Sequence, residues 1–156
     1  MHIHVSLLDA AGRPATHDPA GELGMSAAAA SFAGGVLWHL PALCAFAAPS
    51  MVSYLRLTPH NWSSSFAGIA NDREATIRVP GLKAGPGLPD PGAQFNLEFR
   101  FPDAAACPHM VLAMLVRAVR DGIRDTTRTI ADEGRTGWAN GEGEAQRGRR
   151  RHETRR

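Results

Sequence analysis

Cysteine is scarce in this chain of 156 residues, which contains only Cys44 and Cys107. The two lie far apart in the sequence, match no metal-ligand spacing, and are surrounded by alanines and other apolar residues. Such a pattern favours small, reduced core residues over a cysteine metal site.

Long apolar runs are also missing. The alanine-rich run near residue 28 is interrupted by glycines, His39 and Pro41, so it does not have the composition of a membrane span. The first ten residues contain two histidines and an aspartate and lack the apolar core of a secretory signal. We therefore expect a cytoplasmic protein without a membrane partner. Its size, with 44% hydrophobic residues, suits one domain with one core.

Net charge is nearly absent from the first 123 residues, which carry eight basic and nine acidic side chains. Residues 124–156 carry nine arginines and six acids, a net charge of +3. A basic tail is one mark of a nucleic-acid binder. Here the arginines are interspersed with Glu, Gly and Thr, and Trp138 is the only aromatic residue. We therefore expect no nucleic-acid partner.

The stretch from Phe95 to Asp103 alternates apolar and polar residues with a period of two. Its apolar residues are Phe95, Leu97, Phe99 and Phe101, and its polar residues are Asn96, Glu98 and Arg100. This alternation is typical of a half-buried strand, which Pro102 ends. Glu98 and Arg100 then point the same way, either as a solvated surface pair or as part of a site.

The first eight residues alternate in the same way. One face of this predicted strand carries His2, His4 and Ser6, and the other carries Ile3, Val5 and Leu7. Two imidazoles one pleat apart can reach neighbouring points of one site, although an exposed strand edge explains the pattern equally well.

Three helices are predicted from apolar spacing and end signals. They run from Met25 to about Leu40 with Ser26 as a cap, from Pro41 to about Ala47, and from Pro108 to about Ile123. The apolar stripe of the last helix is Val111, Leu112, Leu115, Val116 and Val119. We interpret Trp38 and His39 as packing or surface residues.

The middle of the chain predicts two short strands, 66–70 and 74–79, joined by an Asn71-Asp72 turn. Arg73 and Arg78 flank the second strand. A polar loop of the kind that lines sites precedes them at 59–65, and residues 80–92, with four prolines and four glycines, are predicted to be a loop.

Four segments, in this order, resemble motifs of the glutamine synthetase superfamily. Residues 1–7 resemble Gly-Ser-Gly-Met-His-x-His-x-Ser, and residues 53–59 resemble Asn-Ser-Tyr-x-Arg-Leu-x-Pro. Residues 71–78 resemble Arg-Asn-Arg-x-Ala-x-Ile-Arg, and residues 97–103 resemble Ile-Glu-x-Arg-x-Pro-Asp, followed by Asp-Gly-Ile at 121–123. The resemblance implies an α+β fold: part of the antiparallel catalytic sheet with flanking helices over residues 1–124. The Arg/Gly-rich segment 125–156 is then expected to be disordered or read in a shifted frame.

The resemblance further implies an ATP-dependent ligase that joins glutamate to ammonia or an organic amine through a γ-glutamyl phosphate. It makes His2 and Glu98 ligands of one Mg²⁺ or Mn²⁺. It places His4, Val5 and Ser6 along the ATP, with Arg73 and Arg78 on the phosphates. It assigns substrate binding to Arg56, Arg73, Arg100 and Trp62, with Arg73 and Arg100 also catalytic. Phosphoryl transfer needs such metal ligands and arginines to neutralise developing charge.

Some positions depart from the family pattern. Asn96 stands where the family usually has a nucleotide-contacting arginine, and Asn71 replaces another arginine. Trp62 falls near the flap glutamate that helps deprotonate ammonium in glutamine synthetases. Because an indole can stack on an organic cation but cannot act as a carboxylate, we expect an organic amine as the acceptor.

The family's N-terminal β-grasp domain and its preceding metal-binding glutamates have no counterpart in this sequence. We therefore expect a truncated piece of a ligase that is inactive by itself. The alternative is a remnant that docks on full-length subunits, since the parent family forms ring-shaped homo-oligomers. Open sheet edges and apolar faces are expected in either case.

Overall fold

The computed structural model describes residues 1–61, 64–83 and 85–124. Trp62 and the segment predicted as a tail, 125–156, lie outside the described residues. The elements in chain order are β1 Ile3–Val5, a 3-10 turn Glu22–Gly24, α1 Ala27–Trp38, α2 Leu40–Ala47, α3 Met51–Arg56, β2 Phe66–Ala70, β3 Ala75–Arg78, α4 Pro91–Gln94, β4 Leu97–Phe99 and α5 Pro108–Arg124. Helices and a small sheet together give the α+β class that the sequence predicts.

The four strands form one sheet in the order β1-β4-β3-β2. β4 pairs antiparallel with both β1 and β3, but β2 and β3 pair in parallel, so the expected antiparallel sheet is mixed. The chain between β2 and β3 runs back to the start of β2, where the amide of Ser65 donates to the carbonyl of Glu74 at 2.8 Å. Four residues span about 13 Å, which is enough to return along a five-residue strand.

The first helix begins where the sequence predicts. The Ser26 hydroxyl accepts a hydrogen bond from the amide of Ala29 at 3.2 Å, which confirms Ser26 as the cap of α1. Further along, α1 crosses α5 at two glycines. A Cβ atom added to Gly35 would lie 2.5 Å from the carbonyl oxygen of Ala118 and 2.8 Å from Cα of Gly122. The two backbones therefore approach this closely only because both positions lack a side chain.

The predicted apolar stripe of α5 is partly wrong. Leu112 and Val116 are 45% and 67% exposed, whereas Val111, Leu115 and Ala118 are buried. The buried residues continue the row that ends at Gly122, at spacings of three and four residues. The glycine contact fixes which row of α5 side chains faces α1. The neighbouring row, which contains Leu112 and Val116, is therefore exposed on the surface.

Two further predictions fail locally. Cys44 is half-buried beside the core, but Cys107 is exposed just before α5 and is not a core residue. The segment predicted as a loop at 80–92 ends in the short helix α4, because Pro91 is preset for a first turn and Asp90 caps it by accepting from the amide of Gly92.

The core lies between one face of the sheet and helices α1 and α5. Its largest fully buried side chains include Phe32, Phe99, Leu97, Ile77, Leu115 and Val36. The rings of Phe32 and Phe99 lie 5.4 Å apart and join the helical layer to the central strand. The alternation along β4 therefore turns Glu98 and its polar neighbours to the opposite face of the sheet.

Among the described residues, no single helix is long and apolar enough to cross a membrane, and only the α1–α2 pair, bent by 73°, passes that test by length and composition.

Candidate functional site

Glu98 is the centre of the polar face of the sheet. In the pairing of the strands it lies directly opposite His4 of β1 and Arg78 of β3. Residues directly opposite each other in neighbouring strands point to the same face. Three residue types suited to binding phosphate or metal thus form one row across three strands.

Glu98 is only 3% exposed, and its carboxylate contacts three basic side chains. Arg78 Nη1 lies 3.0 Å from Oε2, Arg100 Nη1 donates to Oε1, and His2 Nδ1 lies 3.2 Å from Oε1. The interpretation of Glu98 and Arg100 as a solvated surface pair is therefore wrong. Because β4 is a central strand, long side chains from β1 and β3 cover its polar residues as well.

The protonation of this cluster follows from its charges. Burial by itself would raise the pKa of Glu98, but the hydrogen bond from Arg78 and the charge and hydrogen bond of Arg100 outweigh it and lower that pKa. The pKa of His2 is lowered, mainly by burial and next by the positive charge of Arg100. The negative charge of Glu98 acts in the opposite direction but does not outweigh them. At neutral pH the site therefore holds a carboxylate, two guanidinium groups and a neutral imidazole.

The ion pairs of Glu98 leave an excess of positive charge, because two guanidinium groups share one carboxylate. Arg78 Nε is buried and has no hydrogen-bond partner among the described residues. A buried N–H donor without a partner costs about 1–3 kcal/mol. An anion with several oxygens, such as a phosphate, would satisfy both the charge and the donor.

Hydrogen bonds to backbone carbonyls connect Arg56, Arg73 and Arg100 near the end of β4. Arg100 Nε donates to the carbonyl oxygen of Arg73 at 2.6 Å. Arg56 Nη2 donates to the carbonyl oxygen of Phe101 at 2.8 Å, and its Nη1 to that of Arg100 at 3.3 Å. The Arg73 side chain is exposed, whereas that of Arg100 is 6% exposed. Backbone carbonyls thus link the three residues proposed for substrate binding, and the Arg100 side chain lies within the folded interior.

The sequence analysis missed the pair of residues, Ser53 and Asp103, that holds α3 against the end of β4. The hydroxyl group of Ser53 in α3 donates a hydrogen bond to Asp103 Oδ2, and the amide of Asp103 donates one to the carbonyl oxygen of Ala47 at 2.8 Å. The contact fixes α3, and with it Arg56, against the end of β4. Both residues belong to the motifs quoted above, but only the fold shows that they touch.

The nucleotide-binding candidates of β1 divide between the two faces. His4 and Ser6 are exposed on the polar face, where Ser6 Oγ donates to the carbonyl oxygen of Phe95 at 2.9 Å. The Val5 side chain packs against the core, so it reaches a ligand only through its backbone. His4 Nδ1 lies 2.8 Å from Asn96 Oδ1, a contact that links two positions of different strands.

A divalent metal would find a partial site here. His2 and Glu98 supply one imidazole and one carboxylate, but no group of three or more His, Cys, Asp or Glu side chains among residues 1–61, 64–83 and 85–124 is arranged to hold a metal. Mg²⁺ commonly takes one or two carboxylates and completes its shell with water and substrate phosphates. The residues therefore fit one side of such a site and no more.

One family matches nearly the whole chain. The family described as glutamine synthetase, catalytic domain, matches residues 1–146. The chain is 41% identical over 126 residues to the gamma-glutamylpolyamine synthetase GlnA3 of Streptomyces coelicolor. It is 35% identical over 125 residues to a glutamine synthetase of Mycolicibacterium smegmatis. These alignments cover 78% and 80% of the chain but 25% of each relative, so the chain spans about a quarter of their length.

Two solved structures share its fold. A structure described as a novel glutamine synthase homolog superposes with a TM-score of 0.72 at 40% identity, covering 85% of this chain and 33% of that one. A ligand-free structure described as GmaS superposes with a TM-score of 0.63 at 33% identity, covering 80% and 26%. Fold and sequence therefore point to the same family.

Proposed function

The chain belongs to the glutamine synthetase family, and on this premise we propose that it is part of an ATP-dependent ligase that joins glutamate to an amine. The observation that carries the proposal is the buried Glu98 carboxylate between Arg78 and Arg100. The cluster of these three residues has an excess positive charge, and the Nε group of Arg78 has no hydrogen-bond partner among the described residues. Both features suit the binding of a phosphate group.

The proposed reaction has two steps. An oxygen of the glutamate side-chain carboxylate attacks the γ-phosphorus of ATP, the bond to the bridging oxygen breaks, and ADP leaves. The amine nitrogen then attacks the acyl carbon of the γ-glutamyl phosphate, phosphate leaves, and the nitrogen loses a proton. Both steps develop negative charge on phosphoryl oxygens, which fixed cations stabilise.

Each residue of the polar face has a role in this proposal. Arg78 holds nucleotide phosphates through the donor that has no partner in the protein, and His4 and Ser6 line the nucleotide. Arg73 and Arg100 act on the transferred phosphoryl group. His2 and Glu98 would hold a Mg²⁺ or Mn²⁺ ion, whose chemistry would be to neutralise phosphate charge.

Substrate binding falls to the arginines at the end of β4. Arg56 and Arg100, with Arg73, bind the carboxylates of glutamate, for which a planar guanidinium group offers a matched pair of donors. The guanidinium group of Arg56 lies at the carbonyl oxygens of residues 100 and 101, so its position depends on the end of β4.

An organic amine is the proposed acceptor rather than ammonia. One similar protein is named a gamma-glutamylpolyamine synthetase, and its 41% identity is higher than the 35% of the glutamine synthetase compared above. Trp62 in place of a flap carboxylate agrees with a cationic organic acceptor. The placement of Trp62 at the amine site is a proposal, since the residue lies outside the described part of the chain.

A second candidate function is that of an inactive piece that docks on full-length subunits of a ring-shaped homo-oligomer. Strands β1 and β2 are the end strands of the described sheet. On α3, Met51, Val52 and Leu55 are 84%, 69% and 72% exposed, an apolar surface that favours a protein contact. A cytoplasmic location stays a prediction.

A direct assay separates the two candidates. The purified chain is incubated with ATP, glutamate and Mg²⁺ or Mn²⁺, with ammonium or spermidine as acceptor, and ADP and the γ-glutamyl product are measured. Product formed with spermidine in preference to ammonium supports the ligase and its organic amine. Arg78→Gln should then lower the rate, whereas Arg13→Gln, which alters an exposed ion pair with Asp9, should not.

The absence of product from the chain alone, together with its co-purification with an intact ligase of this family, would support the docking candidate. Preference for ammonium in a complete enzyme would contradict the proposed acceptor.

A further inference from the structure

The hydrogen bonds of Asn96 determine its orientation. Its Nδ2 group donates to the carbonyl oxygen of Gln94 at 2.9 Å. A carbonyl oxygen cannot donate, so the amide nitrogen must be the atom on that side and Oδ1 must point the other way. The oxygen that faces His4 is therefore an acceptor only.

This orientation in turn determines the state of the His4 ring. His4 Nδ1 lies 2.8 Å from Asn96 Oδ1. Because the amide oxygen cannot donate, Nδ1 must carry the proton, and in a neutral imidazole the other nitrogen, Nε2, then holds a lone pair. Among the described residues, Nε2 of His4 has no hydrogen-bond partner, and the side chain is exposed on the polar face.

We propose that Asn96 is a positioning residue that holds the His4 ring in its Nδ1–H tautomer, so that Nε2 accepts a hydrogen bond from an N–H or O–H group of the bound nucleotide. The inference rests on the proposed nucleotide role of this face. An arginine at position 96 has donors only and would not hold this tautomer. With Asn at position 96, His4 therefore recognises a donor on the ligand.

Nitrogen-15 NMR of the histidine rings tests the tautomer directly. Spectra of the full chain are recorded at about pH 8.5, where an ordinary imidazole is neutral, and the His4 signals are assigned by their absence from His4→Gln. We expect the wild-type ring to be protonated on Nδ1. Asn96→Asp keeps an acceptor oxygen and should keep this tautomer, whereas Asn96→Leu should shift the ring toward Nε2–H. His109, exposed on α5, should give the same signals in all three proteins.

Nucleotide binding is measured separately, by titrating wild type and Asn96→Leu with ATP. We expect about a five- to tenfold loss of affinity in Asn96→Leu, as for one net hydrogen bond. A wild-type His4 protonated on Nε2 would overturn the proposal, as would equal ATP affinities once the tautomer has shifted. Absence of ATP binding by the wild-type chain would overturn the nucleotide role of this face, while the ring spectra decide the role of Asn96 independently.

Discussion

Ser53 donates a hydrogen bond to the carboxylate of Asp103, a residue 50 positions further along the chain. This hydrogen bond is the main reason why the pKa of Asp103 is lowered, and the hydrogen bond from the amide of Ala105 lowers it further. Because α3 carries both Ser53 and Arg56, the contact couples the protonation of one carboxyl group to the position of a proposed substrate-binding arginine.

The first prediction concerns pH. A carboxyl group whose pKa is lower in the folded than in the unfolded state stabilises the fold above its unfolded pKa, and the contribution is lost as the pH falls through the folded pKa. The difference in unfolding free energy between wild type and Ser53→Ala should therefore be largest above about pH 5 and shrink toward about pH 3. Urea unfolding at several pH values measures it.

Ser26→Ala is the matched control for this experiment. It removes the hydroxyl that caps α1, which has no contact with a carboxylate in the described structure. Its cost of about 1 kcal/mol should not vary with pH. A Ser53→Ala effect as constant as that of Ser26→Ala would contradict the coupling.

The second prediction concerns the buried ion pairs. Glu98→Gln leaves the guanidinium groups of Arg78 and Arg100 without their shared carboxylate. Removing one partner of a buried pair costs about 3–5 kcal/mol, because the remaining charge is desolvated and uncompensated. Thermal or urea unfolding should show a loss of this size. Glu22→Gln, at an exposed position of the 3-10 turn, should change stability by less than about 0.5 kcal/mol, and similar effects of the two substitutions would count against a buried cluster.

The third prediction concerns the helix crossing. In an open helix, Gly→Ala stabilises by about 1 kcal/mol through helix propensity. A Cβ atom added to Gly122 would lie 3.0 Å from Cα of Gly35 and still closer to the carbonyl oxygen of Ser31. Overpacking of this kind costs about 1–3 kcal/mol, so Gly122→Ala should destabilise the protein on balance. Val116→Ala, on the exposed side of the same helix, is the control, and a Gly122→Ala protein more stable than wild type would show that α1 and α5 do not cross as described.

These residues also show how far the sequence alone reaches. The alternation around Phe99 predicts a strand with a buried apolar face, and Ser26 predicts the start of α1, because both signals are local. The exposed Val116 could not be predicted, since the row of α5 that faces the core is chosen by a contact between two distant glycines. The local sequence pattern therefore predicts where each strand and helix lies in the chain. The contact between two helices decides which face of each helix is buried.

The candidate site, too, is predicted from the sequence only in part. The motifs identify His2, Arg78 and Glu98 one by one, and the pairing of β1, β4 and β3 brings them together. Period-two alternation assigns Glu98 to a polar face, but its burial depends on cover from two other strands. The bond between His4 and Asn96 depends on the pairing of β1 with β4, which no single stretch of sequence contains.

The last prediction concerns the competition between arginine and metal for Glu98. Arg78 occupies Oε2 at 3.0 Å, and Arg100 donates to Oε1, so a divalent cation that binds Glu98 must displace a donor and approach positive charge. At an effective dielectric constant of about 20, two unit charges about 4 Å apart interact by about 4 kcal/mol, and the interaction is larger for a divalent cation. Arg78→Gln should therefore bind free Mn²⁺ at least about tenfold more tightly than wild type, measured by electron paramagnetic resonance without nucleotide.

The same substitution should weaken ATP binding, because it removes the donor proposed for the phosphates. His2→Gln should weaken Mn²⁺ binding, and Arg13→Gln should change neither affinity, since its ion pair lies with Asp9. Opposite changes in the affinities for Mn²⁺ and ATP distinguish a site in which Arg78 competes with metal from one that is merely damaged by the substitution, since damage would weaken both. A loss of both affinities in Arg78→Gln would show that Arg78 supports the position of Glu98 rather than competing with the ion.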